Sequence, residues 1–127
     1  MSYILDTHVL LWSISDPDKL SAIAQKILLD RSCIKFISIS SAWEIAIKNR
    51  IGKLSLKYGL AEVFSELEML GIGVLGIDRQ HIEVYTSLLL LHRDPFDGII
   101  IATALSEEMT IVTADENIQK YDVPWTW

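Results

Sequence analysis

The sequence predicts an α/β fold built on a mainly parallel sheet. Short apolar runs alternate along the chain with longer stretches in which apolar residues recur at helical spacing. Strands that alternate with helices are typical of βαβ units, whose strands run parallel. In such sheets ligands bind beyond the carboxyl ends of the strands, so the residues that follow each strand are the first candidates for function.

The predicted strands are short runs rich in β-branched and apolar residues. The first ends at Asp6, the third follows Gly71, and the last lies at an edge of the sheet. The predicted strands span residues 2–5, 34–39, 72–77, 110–113 and 121–127.

The predicted helices have apolar residues at three- and four-residue spacing and carry start and stop signals. Asp16-Pro17-Asp18 interrupts the first helix and begins the second, and Gly52 and Gly71 end later ones. The predicted helices span 8–14, a segment from Pro17 through Leu28, Ser40 or Ser41 to Ile51, 60–70, a segment that begins at Asp78, 94–108, and a short segment that begins at Asp115.

Length and composition indicate one domain over residues 1–127. Half of the residues are hydrophobic and 22% are charged, which suits a single packed core and excludes a disordered chain. Cys33 is the one cysteine, so neither an internal disulfide nor a thiolate metal cluster can form. The amino terminus lacks the features of a signal peptide, and no stretch approaches the ~18 apolar residues of a membrane span. We therefore expect a cytoplasmic protein.

The charge balance is unusual for a nucleic-acid binder, because 17 acidic residues outnumber 11 basic ones and give a net charge of −6. A polyanionic substrate would require a bound cation or a local basic patch. Four bases lie close together in sequence, and they form either a solvated helix end or a rim that contacts phosphates. They are Lys48, Arg50, Lys53 and Lys57.

Four acidic residues follow a predicted strand or lie in the first turn of a predicted helix. Each has an ordinary explanation as a helix cap: Ser41 to Glu44 and Thr113 to Glu116 fit capping boxes. Asp94-Pro95 fits an N-cap followed by proline, and acids in a first turn suit the helix dipole. The four acids are Asp6, Glu44, Asp97 and Asp115.

If the four acids meet at one edge of the sheet, either some of them must be protonated or a cation must bind. Two carboxylates ~6 Å apart repel by roughly 3 kcal/mol at an effective dielectric near ~20, and helix dipoles return only about 0.3–1 kcal/mol each. Oxygen ligands select Mg²⁺, Mn²⁺ or Ca²⁺. The spacing of His8, His81 and His92 does not fit a zinc site. Carboxylate-held metals suit phosphoryl chemistry.

Four sequence blocks resemble the PIN-domain nucleases, and more closely the VapC-type toxins of bacterial toxin–antitoxin pairs. The blocks occur in the same order over nearly the whole chain, and the second and third are fairly specific. They are Leu5-Asp6-Thr7-His8, Ser41-Ala42-Trp43-Glu44-Ile45-Ala46-Ile47-Lys48, His92-Arg93-Asp94-Pro95-Phe96-Asp97 and Val112-Thr113-Ala114-Asp115.

The resemblance implies a three-layer α/β/α sandwich and an endoribonuclease that hydrolyses RNA with metal-activated water, using Mg²⁺ or Mn²⁺. It also implies a homodimer that is inhibited by an antitoxin protein. The acidic ligands and catalytic residues would be Asp6, Glu44, Asp97 and Asp115. Thr7 and Thr113 would lie beside them, and Asp94 is a nearby acid that serves first as a cap.

The chain departs from the family pattern at two positions. Gly98 and Ala114 stand where family members often carry arginine, which removes positive charge near the expected metal. Arg93 remains as a candidate RNA contact or as a surface ion-pair partner, and Lys48 as an RNA contact or as an i,i+4 partner of Glu44. The class of RNA stays open among transfer, ribosomal and messenger RNA.

Two other functions remain open. One is a non-catalytic, degenerate PIN-like interaction module, which the two missing arginines favour and the four retained acids disfavour. The other is a phosphatase or receiver-like domain, since these also place an aspartate after the first strand. A haloacid-dehalogenase-like phosphatase would need a second aspartate where this chain has His8.

Overall fold

The computed structural model describes residues 1–52 and 59–127 and contains a parallel sheet with helices on both faces. Across the described residues no helix combines the length and apolar character needed to cross a membrane. The elements are β1 (Ser2–Leu5), α1 (Thr7–Ser15), a 3₁₀ turn (Pro17–Lys19), α2 (Ala22–Leu29), β2 (Ile34–Ser38), α3 (Ile39–Arg50), α4 (Leu60–Met69), β3 (Ile72–Leu75), α5 (Arg79–Ser87), α6 (Pro95–Glu107), β4 (Thr110–Val112), α7 (Glu116–Gln119) and β5 (Trp125–Thr126).

The described strands form one sheet in the order β3-β2-β1-β4-β5, and every pair is parallel. The chain winds outward from β1 to one edge through β2 and β3, and then returns to the other side of β1 through β4 and β5. The strand order therefore reverses between β1 and β4, where parallel sheets open a crevice at the carboxyl ends of the strands. This arrangement confirms the predicted parallel sheet.

Two hydrophobic cores lie on opposite faces of the sheet, because alternate residues of each strand point to opposite sides. Leu5, Ile37 and Val112 face a core completed by α1 to α4. Their neighbours Ile4 and Ile111 face a second core completed by α6 and the segment after it. The fold is therefore the predicted α/β/α sandwich.

Several helices begin at places that differ from the prediction. The second helix is split: Pro17 begins only a 3₁₀ turn, and α2 starts after Ser21, whose hydroxyl accepts from Ala24 N. The α3 helix begins at Ile39 with Ser38 as its cap, so the predicted start at Ser40 or Ser41 is wrong. The predicted edge strand is confirmed but is shorter, Trp125–Thr126.

Candidate metal centre

Asp6 lies directly beyond β1, at the point where the strand order reverses. Its backbone N–H donates to Val112 O at 3.1 Å and continues the ladder between β1 and β4. Its carboxylate caps α1 by accepting from His8 N at 3.3 Å, and Oδ2 accepts from the Thr113 hydroxyl at 2.8 Å. Only 1% of Asp6 is exposed. The cap and the metal-ligand interpretations are therefore compatible, because one cap bond leaves further lone pairs on the carboxylate.

Asp97 enters the same region from the start of α6. Asp94 caps this helix by accepting from the backbone N–H groups of Phe96 and Asp97 at 2.9 and 3.3 Å, as the Asp94-Pro95 signal predicts. The Asp97 side chain is mostly buried, and Oδ2 is hydrogen-bonded to Nε2 of His92 at 3.0 Å. The helix start thus fixes the backbone of Asp97, and the histidine fixes one of its oxygens.

Glu44 lies in the second turn of α3, and its environment differs from the prediction. The capping box from Ser41 to Glu44 is wrong, because Ser38 caps the helix. Oε2 of Glu44 accepts from Lys48 Nζ at 2.7 Å. Oε1 is buried and has no hydrogen-bond partner among the described residues. A buried carboxylate oxygen without a donor is costly and marks a place where a cation would compensate.

Asp115 caps α7 by accepting from Asn117 N at 2.9 Å. The predicted capping box from Thr113 to Glu116 is wrong, because α7 starts at Glu116 and Asp115 is its cap. The Thr113 hydroxyl instead accepts from Asp115 N at 3.0 Å while it donates to Asp6. One hydroxyl therefore ties two of the predicted acids to the end of β4.

The charges of Asp6, Asp94 and Asp115 all act on Asp97, which indicates that these acids lie close together. Burial raises the pKa of Asp97 to about 7, the His92 hydrogen bond opposes this rise, and the charges of Asp94, Asp6 and Asp115 add to it. Burial also raises the pKa of Asp6, against the lowering effect of Thr113 and His8 and with a further rise from Asp115. Mutual repulsion and desolvation both disfavour the ionised state of the cluster.

Lys48 brings Glu44 into the same electrostatic neighbourhood. Its hydrogen bond to Glu44 raises the pKa of the Lys48 ammonium, and the charges of Asp94 and Asp97 add to the rise. The ammonium therefore lies among acids from α3 and α6. The predicted i,i+4 pair is present, and the same position would suit a contact to a phosphate.

The predicted hydroxyls and basic residues have different surroundings. Thr113 contacts an acid, whereas the Thr7 hydroxyl is hydrogen-bonded to Ser41 at 2.9 Å. Arg93 is exposed and makes no ion pair within the described part of the chain, and Arg50 is exposed at the end of α3. Lys53 and Lys57 lie outside the described residues.

An open cavity of about 220 Å³ adjoins the acids and is lined by Asp6, His8, Trp12, Ala114 and Asp115. The wall includes Ala114, a position at which family members often carry arginine. Trp43 lies outside the core. Its side chain is 63% exposed and meets the edge of Phe96 at 5.5 Å between ring centroids.

Gly98 has a local packing reason. A Cβ at this position would lie 2.5 Å from Cε2 of Tyr85, well inside van der Waals contact. An arginine here would require the Tyr85 ring to move. The departure from the family pattern at Gly98 is thus coupled to the ring that α5 places against α6.

The donor set fits a hard divalent cation. It consists of carboxylate oxygens, one of which is buried without a partner among the described residues, and burial raises the pKa of Asp97. Asp6, Glu44, Asp97 and Asp115 would hold the ion. Among the described residues, no three of these acids offer oxygens that all lie within 4.8 Å of one another, so water ligands would have to complete the coordination of the ion.

One compact set of possible ligands lies elsewhere. Within the described residues, Asp78, His81 and Glu107 alone offer ligand atoms that all lie within 4.8 Å of one another. Both nitrogens of His81 already have protein partners: Nδ1 accepts from Asp78 N at 3.2 Å, and Nε2 pairs with Glu107 at 2.9 Å. These residues cap α5 and connect α5 to α6, so a structural role accounts for their contacts.

Sequence reasoning missed His92 and Tyr121 as parts of the site. The spacing of His92 does not fit a zinc ligand, and Tyr121 lies 29 residues further along the chain. The signal available was the His-Arg-Asp-Pro-Phe-Asp block itself, in which a histidine precedes the capped helix that carries Asp97.

Comparisons with known proteins agree on the fold. The structure is similar to that of VapBC2 from Rickettsia felis, which was solved bound to a DNA fragment from the VapBC2 promoter. The TM-score is 0.74 and the sequence identity 18%, over 99% of this chain and 98% of that chain. DNA-bound VapBC from Salmonella typhimurium gives TM-score 0.73 and 18% identity over 99% and 97% of the two chains. FitAcB from Neisseria gonorrhoeae gives TM-score 0.66 and 20% identity over 98% and 96%.

Sequence comparison with curated proteins finds no match. The family profile described as PIN domain, however, matches residues 3–124, which include every element that carries an acid of the candidate centre. The chain therefore belongs to the PIN domain family.

Proposed function

We propose that residues 1–127 form a single-domain, metal-dependent endoribonuclease that acts as the VapC-type toxin of a toxin–antitoxin pair. The observation that carries the proposal is that the charges of Asp6 and Asp115 raise the pKa of Asp97 and the charge of Asp115 raises the pKa of Asp6, while Glu44 Oε1 is buried and unpartnered among the described residues. PIN family membership and the fold shared with VapBC and FitAcB structures support it.

Each residue has a role that follows from its contacts. Thr113 and the start of α1 orient Asp6, His92 orients Asp97, and Asp115 is aimed from the cap of α7. When bound, Mg²⁺ or Mn²⁺ supplies an activated water and neutralises charge on the attacked phosphodiester. Lys48, Arg50 and Arg93 would contact neighbouring phosphates. Lys53, which lies outside the described residues, would be a fourth such base.

The proposed partner is a basic antitoxin segment. Two of the three similar structures are VapBC proteins bound to DNA, and that DNA belongs to those complexes. An arginine that reaches into an acidic pocket would form charge-assisted hydrogen bonds with the carboxylates and displace the cation. We further propose that the chain is a cytoplasmic homodimer.

A non-catalytic PIN module is the second candidate. The observation in its favour is the absence of arginine at Gly98 and Ala114, where the Tyr85 ring and an open cavity stand instead. Such a module would keep the pocket for a partner but would not cleave RNA.

Cleavage of labelled RNA with and without Mn²⁺ separates the two candidates. The wild type should cut only with metal, and Asp6→Asn and Asp97→Asn should each lose more than the roughly 10–100-fold typical of groups that merely support a ligand. Asp18→Asn, at an exposed acid of the 3₁₀ turn, is the matched control and should stay active. Undiminished cleavage by a folded Asp6→Asn/Asp97→Asn double variant would exclude the nuclease mechanism.

A further inference from the structure

The Tyr121 hydroxyl is the start of a directed chain of hydrogen bonds. The phenol oxygen accepts from the backbone N–H groups of Leu91 and His92 at 3.2 and 3.3 Å. It also lies 3.0 Å from Nδ1 of His92. Two donors already point at the oxygen, so the single phenol proton is the one left to donate to Nδ1.

This arrangement assigns the tautomer of His92. If Nδ1 accepts, the proton of the neutral imidazole is on Nε2. Nε2 lies 3.0 Å from Oδ2 of Asp97, so its N–H donates to that carboxylate oxygen. When Asp97 is ionised, the opposite tautomer would place Nδ1–H against the Tyr121 oxygen and leave two acceptors, Nε2 and Oδ2, facing each other.

Burial protects these hydrogen bonds from competition by water. Tyr121 is 9% exposed, and the His92 side chain is 15% exposed, so water competes weakly for these bonds. The two rings also meet edge to face at 5.5 Å between centroids. Within the described residues, Oδ2 of Asp97 is the oxygen held by a side chain, and Oδ1 is left for another partner.

We propose that Tyr121 is a positioning residue that fixes His92 as the Nε2–H tautomer and thereby aims Asp97 at a divalent cation. The inference rests on the proposed function for the identity of that cation. Histidine–carboxylate pairs of this kind orient ligands in metal sites, and loss of a supporting group typically weakens metal affinity by about 10–100-fold.

The test compares Tyr121→Phe with Tyr85→Phe. Both changes remove one hydroxyl from the wall of the same cavity of about 280 Å³, but the Tyr85 hydroxyl makes no hydrogen bond to the described residues. Nitrogen-15 shifts of the His92 ring report the tautomer in metal-free protein at about pH 8, where Asp97 is ionised. Mn²⁺ titration without RNA reports affinity.

The wild type and Tyr85→Phe should show His92 protonated on Nε2. Tyr121→Phe should lose that preference and bind Mn²⁺ about 10-fold more weakly. If His92 of the wild type is protonated on Nδ1, the inference is overturned. This measurement needs no variant, so the inference stays testable even if Tyr121→Phe fails to fold. Unchanged tautomer or Mn²⁺ affinity in folded Tyr121→Phe also overturns it.

The two proposals fail in distinguishable ways. Cleavage of RNA by the wild type, with no effect of Tyr121→Phe on Mn²⁺ affinity, overturns the positioning role and leaves the nuclease standing. Tyr121-dependent Mn²⁺ binding in a chain that cleaves no RNA supports the positioning role and rejects the nuclease. A wild type that does not bind Mn²⁺ overturns both.

Discussion

Without metal, the protein should lose stability as the pH rises towards neutral, and Asp97 should be a main cause. Burial and the neighbouring carboxylates raise the pKa of Asp97 from 3.8 to about 7. The folded protein therefore keeps this proton over a range of pH in which the unfolded chain has released it. Wherever the folded state binds more protons, the free energy of unfolding falls as the pH rises.

The magnitude follows from the size of the pKa change. One pKa unit corresponds to about 1.4 kcal/mol, so a rise of about three units corresponds to about 4 kcal/mol. The Asp97 side chain is only 10% exposed, so solvent screens this effect weakly. The stabilisation is complete below pH 3.8 and is lost as the pH rises through about 7. Because nearby acids titrate together, 4 kcal/mol is an upper limit for one residue.

Asp97→Asn should remove this loss, because asparagine keeps an acceptor for His92 Nε2–H and carries no charge. In a chelator at about pH 8 the variant should unfold at higher urea concentration than the wild type, and the difference should shrink towards about pH 4. Asp6 also has a raised pKa, so some pH dependence will remain. Asp97 is surrounded by acids and by two other titratable groups. The acids are Asp6 after β1, Asp94 before α6 and Asp115 before α7; the other two groups are His92, also before α6, and Lys48 on α3.

Urea unfolding at several pH values provides the measurement, with Asp18→Asn as the control for removal of one exposed acid. Saturating Mg²⁺ should restore the stability of the wild type at about pH 8 and have little effect on Asp97→Asn. A variant less stable than wild type in chelator at that pH, or one with the same pH dependence, would refute the assignment of this cost to Asp97.

Three further predictions test other contacts. Lys48→Met should destabilise the metal-free protein by about 1–3 kcal/mol, because it removes the donor to Glu44 Oε2. The same change should tighten Mn²⁺ binding in calorimetry. Weaker binding would contradict the idea that the ammonium competes with the cation. Gly98→Ala should cost about 1–3 kcal/mol in urea unfolding, and Tyr85→Ala in the same chain should recover part of that cost; no cost would mean that the ring moves freely. Trp43→Ala should change stability by less than about 1 kcal/mol but weaken self-association in sedimentation, and a monomeric wild type would exclude the homodimer.

The local signals of the sequence were sufficient for most of the fold. The β1 strand has its predicted bounds, and Asp94-Pro95 begins α6 as expected, because proline and a capping carboxylate act within three residues. The start of α3 was misplaced because three candidate caps, Ser38, Ser40 and Ser41, lie close together. Which serine caps the helix depends on where β2 stops pairing with β3, and the register ends at Ser38.

The candidate site was harder to predict, because its bonds join distant parts of the chain. Thr7 with Ser41 and His92 with Tyr121 are pairs that no local spacing reveals. The partner of Thr113 illustrates the same point: a capping box was expected nearby, but the hydroxyl donates to Asp6 from the other end of the sequence. Local patterns locate acids at helix starts, and only the sheet order decides which of them meet.

The bond between Thr113 and Asp6 also has a consequence for when the acidic cluster is assembled during synthesis. The two residues are 107 positions apart, and β1 lies between β2 and β4 in the sheet. A ribosome that adds about 5–20 residues per second needs roughly 5–20 s to pass from the first to the second. Until β4 has emerged, a nascent chain carries Asp6 without Thr113 or Asp115. The order of the strands therefore keeps the acidic centre incomplete while the chain is being made.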